Sequence, residues 1–186
     1  QFMCSAMALA QEAGTIISLD GGAQRYDEEM KSITGSSHIA IVARDYAEKY
    51  TGTTNLEEAC HIIHDRGALI AGVTDGANGS YFVWPDGTFY RCQAFPQEYV
   101  VDTTGAGDSF HGAFLSKLVT LLRELAPVEG LKTSTYAIDL LQHCGHSDLE
   151  KATIFASAVA ALNTQGIGGR SALPSLQVVN NLMGLE

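Results

Sequence analysis

The sequence is short of basic residues, and that shortage excludes several classes of protein. Lys and Arg number 11 against 21 Asp and Glu, so the formal net charge is −10 over 186 residues. A surface with this excess of negative charge is poorly suited to nucleic acid or to an anionic membrane. No apolar run is long enough to span a bilayer. No Gly-x-x-x-x-Gly-Lys motif is present either, which excludes a P-loop nucleotide site.

Cysteine is also scarce, and its spacing is wide. The four cysteines, at positions 4, 60, 92 and 144, form no Cys-x-x-Cys pair. The chain is 46% hydrophobic and long enough for one domain with a substantial core. We therefore expect reduced, buried thiols in a cytoplasmic protein. The His and Cys residues at 60–64 and 143–146 have metal-like spacing, but neither group has a second ligand pair, so we assign no metal site to them.

What the chain does contain is an alternation of apolar runs with amphipathic segments. Strands are predicted at 15–20, 38–42 and 68–74, and helices at 1–10, 26–33, 44–50 and 56–66. The near-continuous apolar run at 68–74 is typical of a parallel strand covered on both faces. A β-hairpin is predicted at 80–93, around Pro85-Asp86-Gly87. This order of elements favours a layered α/β fold.

The second half of the chain is predicted to be mostly helical. A long helix follows residue 108 and ends near Pro127, before a loop at Gly130. Further helices are predicted at 136–143, at 149–163 with Asp148 as the cap, and after Ser175. The helix at 149–163 is rich in Ala, which permits close approach of another helix or of a flat ligand.

The stretch at 100–115 organises the rest of the chain. An apolar strand end leads into a polar loop with Gly105 and Gly107, and the chain leaves the loop as a helix. Glycines let a ligand approach the backbone closely, and a helix N-terminus presents unpaired N–H groups with a partial positive charge. Together these features predict an anion site suited to phosphate.

Asp108 lies in the first turn of that helix, where two roles are open. As a simple helix cap it would need no carboxylate, since Ser or Asn serves equally well. A carboxylate beside a phosphate site is better explained as a base that takes the proton of an attacking hydroxyl. His111, one turn further along, is close enough to contact the phosphate, but we assign it no role.

The run Asp-Thr-Thr-Gly-Ala-Gly-Asp-Ser-Phe at 102–110, followed by Gly-Ala-Phe, closely resembles the C-terminal signature of the ribokinase-like (PfkB) carbohydrate kinases. The resemblance implies a ribokinase-like α/β fold, with a largely parallel sheet and helices on both faces. It implies an ATP-dependent kinase that phosphorylates a hydroxyl of a sugar or sugar-like substrate. In that family Asp108 would be the catalytic base, and the amides of Gly105, Ala106 and Gly107 would form the anion hole.

Two further segments acquire expected roles from the resemblance. Thr74-Asp75-Gly76-Ala77-Asn78-Gly79 is by itself compatible with an ordinary glycine turn before a hairpin. The family has a Thr-x-Gly-x-x-Gly turn lining the nucleotide at the corresponding place, which makes Thr74, Gly76 and Gly79 expected ATP contacts. The Ala-rich helix borders the adenine in the family, so Ser157 is expected near the base.

The resemblance also implies metal ions. Asp102 and Thr104, with the loop at 165–171, would hold a monovalent cation such as K⁺ through backbone carbonyls, and Mg²⁺ would accompany ATP. Many members carry an Asn-x-x-Glu element associated with the metal and the phosphates. The matching positions here are Ala43 and Tyr46, neither of which supplies the hard oxygen ligand that Mg²⁺ prefers, and Asp45 is adjacent.

The chain begins inside a predicted helix, on Gln1, and family members carry a sizeable N-terminal portion with most sugar contacts. We therefore interpret residues 1–186 as the C-terminal nucleotide-binding and catalytic part of a single ribokinase-like domain, with the N-terminal part missing. The expected partners are ATP and a small sugar, without nucleic acid or membrane, and a homodimer is left open. Fructose-like, ribose-like and nucleoside acceptors all remain open. The alternative is a catalytically inactive nucleotide- or sugar-binding member of the same fold.

Overall fold

The computed structural model describes residues 2–125 and 135–185. The strands are β1 Ser18–Gly21, β2 Ile39–Ala43, β3 Ile70–Thr74, β4 Ser80–Val83 and β5 Phe89–Cys92. The helices are α1 Phe2–Glu12, α2 Glu28–Gly35, α3 Arg44–Thr51, α4 Leu56–Asp65, α5 Ala106–Leu125, α6 Thr135–Gln142, α7 His146–Asn163 and α8 Leu176–Leu182. A short 3₁₀ helix, Gly76–Asn78, follows β3.

The five strands form one mixed sheet in the order β1-β2-β3-β4-β5. β1, β2 and β3 run parallel, with Ala40 opposite both Leu19 and Ala71, whereas β4 and β5 form the predicted antiparallel hairpin. Gly72 of β3 lies opposite Phe82, and a Cβ at Gly72 would be only 2.5 Å from the Phe82 ring. The glycine therefore allows the ring to lie flat on the strand. The predicted α/β fold is confirmed.

Each face of the sheet is covered by its own hydrophobic core, as expected for a layered α/β fold. On one face, Ile39, Ile41, Ile70 and the stacked pair Phe82–Trp84 pack against α5 and α7. On the other face, the alternate residues of the same strands pack against α3 and α4; these are Ala40, Val42, Ala71, Val73 and Val83. Because side chains of a strand alternate between faces, every central strand contributes to both cores. This arrangement leaves the carboxyl ends of β1, β2 and β3 at one edge of the sheet.

Two element boundaries that differ from the sequence predictions are those at the starts of β1 and α2. β1 begins at Ser18 rather than at residue 15, and the Ile17 N–H donates to the ring nitrogen Nδ1 of His38 (2.9 Å) instead of to a ladder carbonyl. α2 begins at Glu28 because Asp27 caps it, accepting from the Met30 N–H at 2.8 Å.

Asp148 does not cap α7, contrary to the prediction. The helix begins at His146 with Gly145 at the cap position, so Asp148 lies in the first turn, where it accepts from Lys151 Nζ at 3.0 Å. Ser175 does occupy the cap position of α8. The predicted helix end at Pro127 and loop at Gly130 lie outside the described residues.

Three cysteines have described surroundings, Cys60, Cys92 and Cys144, and each is a buried free thiol. Burial raises the pKa of the Cys60 thiol to about 12 and that of Cys144 to about 11. The Cys4 side chain lies outside what the structure describes. Among the helices of the described ranges, none combines the length and the apolar character needed to cross a membrane.

Candidate active site

The loop that precedes α5 has the geometry of an anion site. Gly105 has φ +76, a left-handed conformation, and a Cβ there would lie 2.5 Å from the Cα of Gly169. Glycine is therefore required both for the conformation and for the close approach of the second loop. Within the part of the chain that the structure describes, the first-turn amides of Gly107 and Asp108 have no hydrogen-bond partner. The Ala106 amide donates to the Thr103 carbonyl at 3.1 Å.

Two cavities meet beside this loop. The larger has a volume of about 530 Å³ and the smaller about 310 Å³. Thr74, Gly76 and Gly107 line both of them, so the two form one continuous cleft along the carboxyl ends of the parallel strands. That edge of an open α/β sheet is the usual place for a ligand.

The larger cavity has the character of a pocket for a flat apolar ligand. One wall is formed by small residues of α7, and the opposite wall by the segment after β5; the residues are Ser157, Ala160, Ala161, Ala94, Phe95 and Pro96. Ser157 is buried, and its hydroxyl donates to the Gln93 carbonyl at 3.3 Å, which ties the two walls together.

The turn after β3 closes one side of this cavity. Gly79 has φ +96, and a Cβ there would lie 2.1 Å from the Cys92 carbonyl oxygen, so the turn packs directly against the backbone of β5. The Asp75 N–H donates to the Gly79 carbonyl at 2.9 Å and closes the turn. The three residues expected to contact the nucleotide, Thr74, Gly76 and Gly79, all line the larger cavity.

The smaller cavity contains the charged side chains. Asp108 is exposed at its edge, next to Asp20 at the end of β1, and Arg25 lines the same space. The pKa of Asp20 is raised, first by burial and then by the charge of Asp108, while Arg25 lowers it and a hydrogen bond between the two carboxyl groups raises it further. The carboxyl groups of Asp20 and Asp108 and one cationic side chain, that of Arg25, thus line the same cavity.

Asp20 and Arg25 were not predicted as site residues from the sequence. The signal for Asp20 was its place at the end of a buried strand before Gly21-Gly22, since strand ends of a parallel sheet face the ligand crevice. No signal in the sequence indicated Arg25, because its place in the cavity depends on the course of the loop between β1 and α2.

His111 lies inside the protein rather than at the cleft surface. It is 9% exposed, and its Nε2 is 3.0 Å from the Ser18 hydroxyl on β1. Burial lowers the pKa of His111, while the charge of Asp108 raises it. Ser18 and Asp20 lie on one face of β1, and Asp108 and His111 are one helical turn apart. The Ser18–His111 contact therefore holds β1 against the start of α5, with Asp20 beside Asp108.

The positions that correspond to the Asn-x-x-Glu element supply no metal ligand. Ala43 presents only a methyl group to the smaller cavity. Tyr46 is fully buried, and its hydroxyl is 2.6 Å from that of Thr34. Asp45 accepts from the backbone N–H of Gln24 at 2.8 Å and so is directed at the β1–α2 loop.

Asp102 joins the anion loop to the loop at 165–171. One carboxylate oxygen accepts from the Thr104 N–H and the other from the Gly168 N–H, both at 2.8 Å. These two amides hold the pKa of Asp102 below its ordinary value. Asn163 adds a second link, because its side-chain amide donates to the Gly169 carbonyl at 3.1 Å.

Comparison with known proteins agrees with this architecture. The family described as "pfkB family carbohydrate kinase" matches residues 2–176. The chain is 29% identical over 180 residues to a probable fructokinase-2 of Arabidopsis thaliana, covering 91% of this chain and 48% of that protein. It is 33% identical over 124 residues to fructokinase-2 of Solanum lycopersicum, covering 61% of this chain and 37% of that protein.

Solved structures show the same fold. A fructokinase double mutant from Vibrio cholerae O395, bound to fructose, ADP and potassium ion, has a TM-score of 0.72 at 22% identity. That match covers 97% of this chain and 54% of the other. A putative ribokinase II from E. coli in complex with ATP and Mg²⁺ has a TM-score of 0.70 at 18% identity, covering 98% and 53%. The chain thus spans about half the length of these proteins, and it belongs to the pfkB family of carbohydrate kinases.

Proposed function

We propose that residues 1–186 are the nucleotide-binding and catalytic part of an ATP-dependent kinase that phosphorylates a hydroxyl of a sugar or sugar-like substrate. The observation that carries the proposal is the placement of Asp108. Asp108 borders an open cavity, beside the Gly107 and Asp108 amides, which have no hydrogen-bond partner among the described residues. A base next to an anion site is the arrangement that phosphoryl transfer to an alcohol requires.

In this proposal the larger cavity receives the adenine and ribose of ATP. Its small and apolar walls suit a flat ring, with Ser157 near the base and Thr74, Gly76 and Gly79 along the sugar and phosphates. The phosphate tail then passes Thr74, Gly76 and Gly107, which border both cavities, and reaches Asp108. The structural neighbours that hold ADP or ATP support a nucleotide ligand for this fold.

The transferring phosphoryl group would lie against the amides of Gly105 and Gly107. Fixed donors of this kind stabilise the charge that develops in the transition state, and loss of one costs on the order of a hundredfold in rate. The Ala106 amide contributes only if its contact with the Thr103 carbonyl opens. Asp108 accepts the proton of the attacking hydroxyl as the new P–O bond forms.

The donor set fits a magnesium ion that is shared with the nucleotide. No group of three or more His, Cys, Asp or Glu side chains in the described ranges could hold a metal by itself. Asp20 offers hard oxygen atoms at one end of the smaller cavity, and Mg²⁺ commonly binds through one or two carboxylates together with substrate phosphates. Bound there, the ion would neutralise phosphate charge.

A monovalent cation such as K⁺ fits the region of Asp102 and Thr104. Both carboxylate oxygens of Asp102 are engaged by backbone amides, so the ligands would be backbone carbonyls of these residues and of the 165–171 loop. The neighbouring fructokinase structure with a potassium ion supports this assignment for the fold.

A second candidate is a member of the same fold that binds nucleotide without turnover. The observation that favours it is the loss of both metal-associated positions, with a methyl group at Ala43 and a buried ring at Tyr46. The exposed carboxylate of Asp108 argues against it, because a protein that only binds ATP gains nothing from a negative charge facing the phosphates.

The experiment that separates the two is a phosphorylation screen with the protein made from the complete reading frame. Purified protein is incubated with ATP and Mg²⁺ and a panel of ketoses, aldoses and nucleosides, and ADP formation is followed. The proposal expects ADP formation that depends on one class of acceptor. Tight ATP binding with no turnover on any acceptor would favour the second candidate.

A further inference from the structure

We infer that Arg25 binds the terminal phosphates of the nucleotide and is a specificity residue for a triphosphate over shorter phosphate tails. The inference rests on the proposed function, and it assigns a direct ligand contact to a residue outside the α5 loop. Its basis is that Arg25 lines the smaller cavity together with Asp20 and Asp108.

The first argument is charge. The two cavities together form the cleft. Among the described residues that line it, Arg25 is the sole Lys or Arg. Asp20 and Asp108 already place two carboxyl groups in the smaller cavity. The triphosphate of ATP adds roughly four negative charges to the same space. A protein cation at this end of the cleft lowers the repulsion that the last phosphate meets as it approaches Asp108.

The second argument is that Arg25 is available. Arg44, at the start of α3, is already bound to Glu48 at 2.8 Å and to Asp75 at 3.1 Å. Arg25 has no comparable ion pair among the described residues, although its charge acts on Asp20. A guanidinium presents donors in a planar fork that matches phosphate oxygens, so an unpaired Arg at this place suits a phosphate better than it suits a structural role.

The third argument is that the backbone holds Arg25 in place. Gln24 has φ +62, which is uncommon for a residue with a side chain, and its N–H donates to Asp45 at 2.8 Å. The Arg25 N–H donates to the Gly22 carbonyl at 3.3 Å, and the side chain runs over Gly22. A Cβ at Gly22 would lie 3.4 Å from Cδ and Nε of Arg25, so the Arg25 side chain lies in direct contact range over this glycine.

The test compares Arg25→Ala, Arg25→Lys and the control Arg91→Ala in the complete protein. Arg91 is exposed on β5, where its guanidinium lies over the Tyr81 ring at 5.3 Å, and it lines neither cavity. Dissociation constants for ATP, ADP and AMP are measured by calorimetry, and KM for ATP and for the acceptor by turnover. Calorimetry reports on Arg25 whether or not the protein turns over, so failure of this inference is distinct from failure of the proposed function.

We expect Arg25→Ala to weaken ATP binding roughly tenfold or more, as loss of a charge-assisted hydrogen bond does, and to leave AMP binding within about twofold. Arg25→Lys should recover part of the loss, and Arg91→Ala should match the wild type. Equal weakening of ATP and AMP, or no weakening of either, would overturn the inference. Unchanged ATP binding with a raised KM for an acidic acceptor would overturn it too, since Arg25 would then bind the acceptor's carboxylate.

Discussion

Replacing Gly105 by Ala tests the geometry of the anion loop most sharply. The residue has φ +76, and the left-handed region costs an L-residue about 1–2 kcal/mol. The new Cβ would also lie 2.5 Å from the Gly169 Cα and 2.7 Å from the Gly169 carbonyl oxygen. Backbone atoms cannot rotate away, so the 165–171 loop must shift, at a further cost of about 1–3 kcal/mol.

We therefore expect Gly105→Ala to lower the free energy of unfolding by about 2–5 kcal/mol. The matched control is Gly112→Ala in the same helix. Gly112 is exposed within α5, and a Cβ there meets nothing within 4 Å. Ala at a helical position without strain stabilises by about 0.4–1 kcal/mol, so the control should move in the opposite direction.

The assay is urea unfolding of the complete protein, followed by tryptophan fluorescence and by far-UV circular dichroism. The single Trp of this chain, Trp84, is buried in the core that packs on α5. If Gly105→Ala and Gly112→Ala changed stability by the same amount and sign, the close contact between the two loops would be refuted.

Three further predictions concern the core, the carboxylate pair and the cation region. Phe114→Ala should cost about 3–5 kcal/mol in urea unfolding, because the side chain is fully buried and stacks on Phe82 with ring centroids 5.6 Å apart; a cost below 1 kcal/mol would contradict that packing. Because the pKa of Asp20 is raised in the folded protein, its contribution to stability is full below pH 3.8 and is lost as the pH rises through the folded pKa. Asp20→Asn should therefore be more stable than the wild type at pH 7 and lose this advantage near pH 3. Equal stability at pH 7 would count against the unfavourable effect of burial and of the Asp108 charge on Asp20. Asp102→Ala removes the acceptor of the Gly168 N–H and should weaken the activation of turnover by K⁺. Turnover is measured as KCl is added, with NaCl as the reference salt. The same dependence on KCl in the variant and the wild type would argue against a cation at this loop.

The order of the elements could be predicted because it depends on local pattern. The strand predicted at 68–74 is observed as β3, and the hairpin predicted around Asp86 is observed as β4 and β5, each close to its predicted position. Strand ends were less predictable, since they depend on distant partners. β1 starts three residues later than predicted: the Thr15 N–H donates to the Ala10 carbonyl and the Ile17 N–H to the His38 ring, and nothing in residues 15–20 indicates either contact.

The candidate site, too, contains residues that could be predicted from local pattern and residues that could not. The residues named from motifs that line the one cleft are Thr74, Gly76, Gly79, Ala106, Gly107 and Asp108, although their roles remain predictions. Gly105 lines neither of the two cavities and lies against Gly169 instead. Asp20 and His111 acquire their places only when β1 packs beside α5, and Arg25 acquires its place through the course of the loop between β1 and α2. The sequence around His111 does not indicate whether this side chain contacts the Ser18 hydroxyl on β1 or faces solvent.

The most direct test of the central claim is the turnover of Asp108→Asn in the complete protein, beside Asp148→Asn. Asp148 also lies in the first turn of a helix, α7, but it lines neither cavity. Loss of a general base should reduce turnover by roughly 10²–10⁴-fold. ATP binding should stay equal or become tighter, because a charge that repels phosphate is removed. Asp148→Asn should match the wild type, and turnover of Asp108→Asn within a few-fold of wild type would contradict the role of Asp108 as the base.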